Sequence, residues 1–237
     1  HQHDAADIEV FKEMFDAGMI YRGHKPVHWC KHCHTALAEA EIEYGDETSP
    51  SIYVRFELTS KPAGLENFDG PVDFVIWTTT PWTIPSDQAV SLKPEAIYVA
   101  VEHEGRAEIM MKSLAEQVCE IAGWEYTPVM VDGKPYEVPA ETFDHLHYKQ
   151  PVFDGVEGVA LLADYVGTED GTGIVHNSPG HGVDDYYVCL KEGMDICMPV
   201  DDDGRFYVGE DFGTGGPFSG MDTDEANPHI IEFLRER

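Results

Sequence analysis

The chain has 237 residues, 42% of them hydrophobic, and carries 45 acidic against 15 basic side chains for a formal net charge of −30, which is enough apolar content for one large domain or two small ones. No run of about 18 apolar residues occurs, and the start His1-Gln2-His3-Asp4 lacks the basic and apolar regions of a signal peptide; together with five scattered cysteines, read as reduced, this excludes a membrane-spanning helix and predicts a cytosolic protein. A surface this acidic repels nucleic acid unless its few cations are grouped, and because the acids lie in every segment, adaptation to high salt is the favoured reading, self-repulsion being screened over roughly 3 Å at 1 M.

In chain order, residues 4–19 predict an amphipathic helix with Ile8, Phe11, Phe15 and Met19 on one face and Gly18 as its stop, leading into the domain without joining its core. Residues 27–29 and 38–44 predict extended segments, the second alternating Ala38, Ala40, Ile42 and Tyr44 against acids. Strands follow at 51–58 and 72–77, with Lys61-Pro62-Ala63-Gly64 and Asp69-Gly70-Pro71 as turns between them. Residues 89–92, 97–101 and 107–111 predict a meander whose last hairpin turns at Glu104-Gly105. A short helix over 113–122, capped by Ser113 and stopped by Gly123, comes next. Beyond it lie strands at 126–131 and 159–162 and a helix at 184–192 closed by Gly193. A glycine-rich loop over 209–220 precedes a final helix over 222–237 interrupted near Pro228. Many short strands with few helices predict an α+β fold on a closed, barrel-like sheet with peripheral helices, not a doubly wound one.

Two stretches carry the chemistry. Trp77-Thr78-Thr79-Thr80-Pro81-Trp82-Thr83 follows the apolar run Phe74-Val75-Ile76, so three adjacent hydroxyls stand between a buried strand and a proline, flanked by two indoles, as at the lip of a small pocket. The second is Gly171-Thr172-Gly173-Ile174-Val175-His176-Asn177-Ser178-Pro179-Gly180-His181-Gly182-Val183-Asp184-Asp185-Tyr186. Ester hydrolysis in general needs a positioned water and donors for the carbonyl oxygen, and a cationic substrate needs an anion besides. Thr78, Thr79 and Thr80 can supply the first two and Asp185 the third. Each has a plainer reading: a β-rich strand end for the threonines, and charge complementing a helix N-terminus for Asp184 and Asp185. His176 and His181, read as metal ligands, bracket Pro179-Gly180 and match no standard zinc spacing; His181 reads as loop-structuring. Cys30-Lys31-His32-Cys33-His34 has the spacing of half a zinc ribbon without a second pair in the sequence, while Cys119, Cys189 and Cys197 sit in apolar surroundings and read as core. Gly171-Thr172-Gly173 lacks the third glycine of a dinucleotide loop, and no Gly-x-Ser-x-Gly elbow occurs.

Occurring together and in this order, the two stretches resemble the paired signatures of the editing domain of isoleucyl-tRNA synthetase, in the class I aminoacyl-tRNA synthetase family. Lys25-Pro26-Val27-His28-Trp29-Cys30 with Thr35-Ala36-Leu37-Ala38-Glu39-Ala40-Glu41 is similar to the opening of that inserted domain. The resemblance covers nearly the whole chain, from Phe11 to the final helix. Valine- and leucine-specific relatives carry an arginine after their paired threonines, where this chain has Thr80, and Trp82 also fits the isoleucine branch. The ligase signatures His-Ile-Gly-His and Lys-Met-Ser-Lys-Ser are absent, so no aminoacyl-adenylate synthesis is expected.

The resemblance implies residues 1–24 as a helical lead-in, 25–50 as an opening segment with the partial zinc ribbon, and 51–237 as the editing domain. It implies hydrolysis of Val-tRNA(Ile), and of valyl-adenylate, at a pocket that excludes isoleucine. Thr78, Thr79, Thr80 and Thr83 would serve the ester and water, Trp77 the wall, His176 the size limit and Asp185 the ammonium, with Gly180 and His181 in the substrate-binding loop. Asp87 stands where an asparagine is common in relatives, which leaves its role open. Editing implies no cofactor; a structural zinc at Cys30 and Cys33 would need a second cysteine pair that some relatives carry after the editing domain. The implied partners are tRNA(Ile) and a valyl substrate, with no membrane, for a monomer in the cytoplasm. Two other readings stand beside it: a non-catalytic acidic module that docks tRNA or a partner, and a metal-dependent amidohydrolase.

Overall fold

Residues 2–46 and 48–237 are described by the computed structural model. In chain order they form α1 (Gln2–Asp16), β1 (Trp29–Cys30), β2 (Thr35–Ala36), β3 (Ile52–Glu57), β4 (Val72–Thr78), β5 (Ala89–Leu92), β6 (Ile97–His103), β7 (Arg106–Met111), α2 (Lys112–Ala122), β8 (Met130–Val131), β9 (Lys134–Pro135), β10 (Glu137–Pro139), β11 (His147–Lys149), β12 (Glu157–Leu162), β13 (Ile174–Asn177), α3 (Val183–Lys191) and α4 (Thr223–Glu236). A 3-10 turn, Pro81–Ser86, joins β4 to β5.

Two mixed sheets carry the architecture. One has the order β10-β6-β7-β4-β3, the other β11-β12-β5-β13, and within them β4–β7 and β5–β12 run parallel while the other pairs are antiparallel. The near-continuous apolar run of β4 is the pattern of a strand covered on both faces, and β4 accordingly lies between β7 and β3, with every residue buried except Trp77. Rings close the space between the sheets: Phe56 stacks on Tyr148 at 5.1 Å, and Phe74 meets Phe143 edge-on at 5.6 Å. The sheets are stitched by a bridge between Leu58 and Tyr148 and by the Met111 amide donating to Thr172 O at 2.8 Å. Among the described residues the ladders make two joined sheets with helices on the outside and no closed ring, so the expected barrel is not found as a continuous set of ladders.

Several local expectations give way to tertiary structure. Residues 38–44 form no strand: Glu39–Glu41 is a 3-10 turn, with the Ala38 amide donating to Glu41 Oε2 at 2.7 Å, because no neighbouring strand offers the segment a ladder. The meander is also broken, since after Lys93-Pro94 the chain crosses over and β5 pairs with β12 and β13 instead of β6; only the β6–β7 hairpin at Glu104-Gly105 stands. Helix α2 starts at Lys112 without a side-chain cap, as β7 runs straight into it and leaves Ser113 inside the first turn; Gly123, left-handed at φ 72°, ends it as expected. Within residues 126–131 only Met130–Val131 is a strand. Helix α4 passes Pro228 unbroken, its first turn secured by the Asp222 cap and by Lys31, whose Nζ lies 2.8 Å from both Asp222 and Asp224. Helix α1 does form, and Ile8, Phe11, Phe15 and Met19 remain exposed on and just beyond it.

Candidate functional site

The two chemistry-bearing stretches meet. β4 ends at Thr78, whose buried side chain points inward by strand alternation. The Thr80 amide donates to Thr78 Oγ1 at 3.1 Å and the two hydroxyls lie 3.3 Å apart, so the chain doubles back on itself before Pro81 opens the 3-10 turn. Thr79 is half-buried and Thr80 exposed. Inside the turn, Thr83 Oγ1 donates to Thr80 O at 2.9 Å and Ser86 Oγ to Thr83 O at 3.0 Å. Opposite stands β13, fixed by Tyr98, whose hydroxyl donates to Gly173 O at 2.6 Å, and by its antiparallel pairing with β5.

The contact between the stretches is His176 Nε2 to Thr83 Oγ1, 3.1 Å. On the other side of the ring, Nδ1 faces Asp87 Oδ1 at 3.3 Å, and the second oxygen of Asp87 accepts from the Tyr148 hydroxyl. All three are buried, His176 at 7% exposure, Asp87 at 1% and Tyr148 at 0%. Beside them Ser86 Oγ and Ser178 Oγ lie 2.6 Å apart. Asp185, in the first turn of α3, reaches back to β13: Oδ2 accepts from the Ser178 amide at 3.0 Å and Oδ1 from Asn177 Nδ2 at 3.2 Å. Asn177 is further held by Ser91 Oγ at 2.5 Å and by the Tyr165 hydroxyl.

Burial dominates the electrostatics. It lifts the Asp87 carboxyl above the usual range, and only His176 and Tyr148 draw it back. It lifts Asp185 as well, against the pull of the Ser178 amide, and it raises Tyr148 strongly and Tyr165 to about 12. His181 is pushed down to about 4 by burial and by the nearby His176, so it is neutral at pH 7. Its ring meets Trp82 edge-on at 4.6 Å and its amide donates to Ser178 O at 2.9 Å, in keeping with a loop-structuring residue.

Not every residue singled out in the sequence joins this cluster. Trp77 points to the other face of β4, where its indole N–H donates to Ser51 Oγ at 2.7 Å and its ring covers Gly171, on the wall of a separate cavity of about 610 Å³. Gly180 packs its backbone against Cys197 O, where a side chain would not fit. The residues that sequence reasoning missed are Tyr148, Ser86, Ser178 and Asn177. Asn177 and Ser178 lay within the quoted stretch, whereas Tyr148, 61 residues from Asp87, gave no signal at all. A larger cavity, about 690 Å³, lies on the outer face of the five-stranded sheet among Arg55, Arg106 and Trp124, away from the threonines.

Cys30 and Cys33 sit on the β1–β2 hairpin, half-buried and exposed respectively, with the His34 amide donating to Cys30 O at 2.8 Å. Backbone amides of Cys33 and His32 lower the Cys30 thiol below its ordinary value, as suits a thiolate ligand. Two thiols are half of a tetrahedral donor set, and among the described residues no group of three or more His, Cys, Asp or Glu side chains is arranged around a metal position. The set present therefore does not by itself hold a zinc. Cys119 and Cys189 are buried, Cys189 against Ala89 and Leu161, and Cys197 is half-buried. No helix of the described residues is long and apolar enough to cross a membrane.

The family described as tRNA synthetases class I (I, L, M and V) matches residues 1–188. Among curated proteins, the isoleucine–tRNA ligase of Staphylococcus epidermidis is 38% identical over 236 residues, covering 100% of this chain and 26% of the relative. That of Nitratidesulfovibrio vulgaris is 43% identical, covering 99% and 24%. The chain thus spans about a quarter of the length of the curated relatives it matches. Among solved structures, the crystal structure of GlLeuRS-CP1 superposes with a TM-score of 0.59 at 14% identity, over 79% of this chain and 96% of that one. The P. knowlesi cytosolic leucyl-tRNA synthetase editing domain superposes with a TM-score of 0.57 at 10% identity, over 81% and 95%. At such identities the likeness is one of fold.

Proposed function

Because the chain belongs to the class I tRNA synthetase family (I, L, M and V), we propose that it is the editing domain of an isoleucine–tRNA ligase and that it hydrolyses Val-tRNA(Ile) between the Thr78–Thr83 segment and β13. The observation that carries this reading is the 3.1 Å contact of Thr83 with His176, which brings the two stretches into one polar cluster. The need for such a site follows from a limit on binding: one methylene is worth about 1–3 kcal/mol, and the discrimination of isoleucine from valine is itself the standing illustration of that limit.

In this reading residues 51–237 are the editing domain, 25–50 its opening segment and 1–24 a lead-in. Thr79 and Thr80, at the open end of the threonine run, orient the water and the ester carbonyl, while Thr78 and Thr83 hold that run in shape. Water adds to the carbonyl carbon, its proton leaves to solvent, and the ribose oxygen departs with a proton, giving valine and free tRNA(Ile). Asp185 receives the α-ammonium: each of its oxygens keeps a lone pair beyond those used by Asn177 and Ser178, and a charge-assisted hydrogen bond there is worth about 1.5–3 kcal/mol. His176 is the wall that isoleucine meets, Gly180 and His181 shape the loop beside it, and Trp77 buttresses β4 from behind. Valyl-adenylate is a second substrate, and the domain works as a cytoplasmic monomer. Should Cys30 and Cys33 ligate zinc, the metal stabilises the opening segment and takes no part in hydrolysis.

The test is deacylation of Val-tRNA(Ile) and Ile-tRNA(Ile) by the parent, Asp185→Asn and His176→Ala. Asp185→Asn keeps an acceptor for Ser178 and loses the charge, so its rate on the valyl ester should fall about 10- to 100-fold. His176→Ala should begin to hydrolyse the isoleucyl ester while keeping appreciable valyl activity. A parent chain that binds tRNA and deacylates nothing would favour the docking module, and a parent rate abolished by chelators would favour the metal-dependent hydrolase.

A further inference from the structure

We propose that Asp87, braced by Tyr148, is a positioning residue that keeps a proton on the Nδ1 side of His176 and thereby locks the imidazole against Thr83. His176 Nδ1 and Asp87 Oδ1 lie 3.3 Å apart, both buried and neither in a hydrogen bond with any group. If the carboxylate were ionised and Nδ1 bare, two lone pairs would oppose each other out of reach of water, the arrangement that a buried site tolerates least. A proton between them removes the conflict, whether it rests on Nδ1 beside a carboxylate or on Oδ1 beside a neutral ring.

The far end of the chain gives the ring its sense. Thr83 Oγ1 is 2.9 Å from Thr80 O, to which it donates, and that leaves its lone pairs for His176 Nε2–H at 3.1 Å. If Thr83 instead donates to Nε2, the proton must sit on Nδ1, so both directions of the chain require a proton at the Asp87 side. Tyr148 closes the other end by donating to Asp87 Oδ2. The result is a path Tyr148, Asp87, His176, Thr83, Thr80 with one proton between Asp87 and His176; the pair is net neutral when Nε2–H donates to Thr83 and keeps one negative charge when Thr83 donates to Nε2. The other titratable groups near the pair are Asp185 and Cys189 of α3 and His181 of the preceding loop. Burial pushes His181 and Cys189 toward their neutral forms, and Asp185, the one acid among them, raises Asp87 and so favours the shared proton.

A wall excludes a longer side chain only if it cannot turn aside, so this lock is what gives His176 its selectivity; that consequence rests on the proposed editing function, whereas the proton placement does not. The two are separated by experiment. In the chain labelled with ¹⁵N-histidine, ring ¹⁵N–¹H correlations should show a proton shared on the Nδ1 side at neutral pH in the parent. Asp87→Asn, whose amide can still donate to Nδ1, should leave Nδ1 bare and the proton on Nε2. A parent with no proton on either Nδ1 or Asp87 Oδ1, read from the ring ¹⁵N and the Asp87 carboxyl ¹³C shifts, overturns the assignment whatever the activity. In deacylation, Asp87→Ala should lower the preference for the valyl over the isoleucyl ester on the order of tenfold, and Asp87→Asn should restore it by holding the ring again. An unchanged preference in a folded Asp87→Ala overturns the positioning role. A parent that shows the shared proton and deacylates nothing leaves the lock standing and removes the editing function.

Discussion

Carboxylates are buried in two regions of this molecule, and the partners they are given differ in kind. On the outer face of the five-stranded sheet, Asp73 and Glu108 are both fully buried and both met by arginine. Arg106 grips Asp73 with two parallel bonds of 2.7 and 2.6 Å and reaches Glu57 at 3.4 Å; Arg55 donates to Glu108 at 2.7 Å with its guanidinium 5.3 Å over Trp124. At the candidate site, Asp87 and Asp185 are met by a tyrosine, an imidazole and amides. Arginine never gives up its charge, so the cationic side of each pair on the sheet face is fixed. The partners at the site can share or pass a proton, so its charge can follow what is bound. With 15 cations for 45 acids, arginine is placed where the fold requires a permanent charge and withheld where chemistry is proposed.

The sharpest way to break this contrast is to remove the fixed charge. Arg106→Ala strands Asp73 inside β4, and losing one partner of a buried pair costs about 3–5 kcal/mol. For a chain of this length that is a fall in melting temperature of roughly 6–20 °C, measurable by circular dichroism. Arg106→Lys should recover only part of it, a single ammonium being unable to match the two-pronged grip. Equal melting of the alanine variant and the parent would mean that Asp73 does not need its arginine.

Glu108 tests the same face through pH. One of its oxygens, Oε2, has no partner, and burial lifts its carboxyl from 4.5 to about 7. Between those values the folded chain holds a proton that the unfolded chain has released. Its contribution to stability therefore falls as pH rises from about 4.5 to about 7 and is level above that. Glu108→Gln should flatten this fall and, at pH 8, gain up to about 3 kcal/mol. Urea titrations of both proteins at pH 5 and pH 8 read the difference directly, and parallel pH dependences would rule out the assignment. Salt separates buried from exposed charge: molar KCl should raise the melting temperature by about a few degrees through screening of the surplus exposed acids, with the Arg106→Ala deficit persisting. A melting temperature that is flat or falls with KCl would remove the high-salt reading. The smallest effect belongs to the exposed Lys12–Asp16 pair on α1, where Lys12→Ala should change stability by no more than about 0.5 kcal/mol.

Much of this was legible in the sequence where local rules and tertiary demands agree. The apolar run before Trp77 gave β4, Gly123 gave the end of α2, and the Glu104-Gly105 pair gave the β6–β7 hairpin. The alternation over 38–44 and the meander over 89–111 misled because pairing partners are chosen by the sheet: β5 finds its neighbours about 70 and 85 residues further on, across connections that no window of sequence spans. The site shows the same division. Thr83 and His176 could be named from their motifs, and Asp87 could be singled out without a role. The contact of Asp87 with Tyr148 joins β11 to the turn after β4 and exists only once both sheets are packed.

That packing leaves its mark at a position with no functional group. Gly158 on β12 faces the Tyr148 ring so closely that a β-carbon there would overlap the phenol. The ring has nowhere to retreat, being stacked on Phe56 with its hydroxyl committed to Asp87. A methyl group at 158 is therefore felt at His176, two hydrogen-bonding partners away, although Gly158 touches neither Asp87 nor the threonines. In a survey of all single substitutions scored for function, position 158 should be as intolerant as the site itself, and its intolerance would be a record of geometry inherited at a distance, not of chemistry performed on the spot.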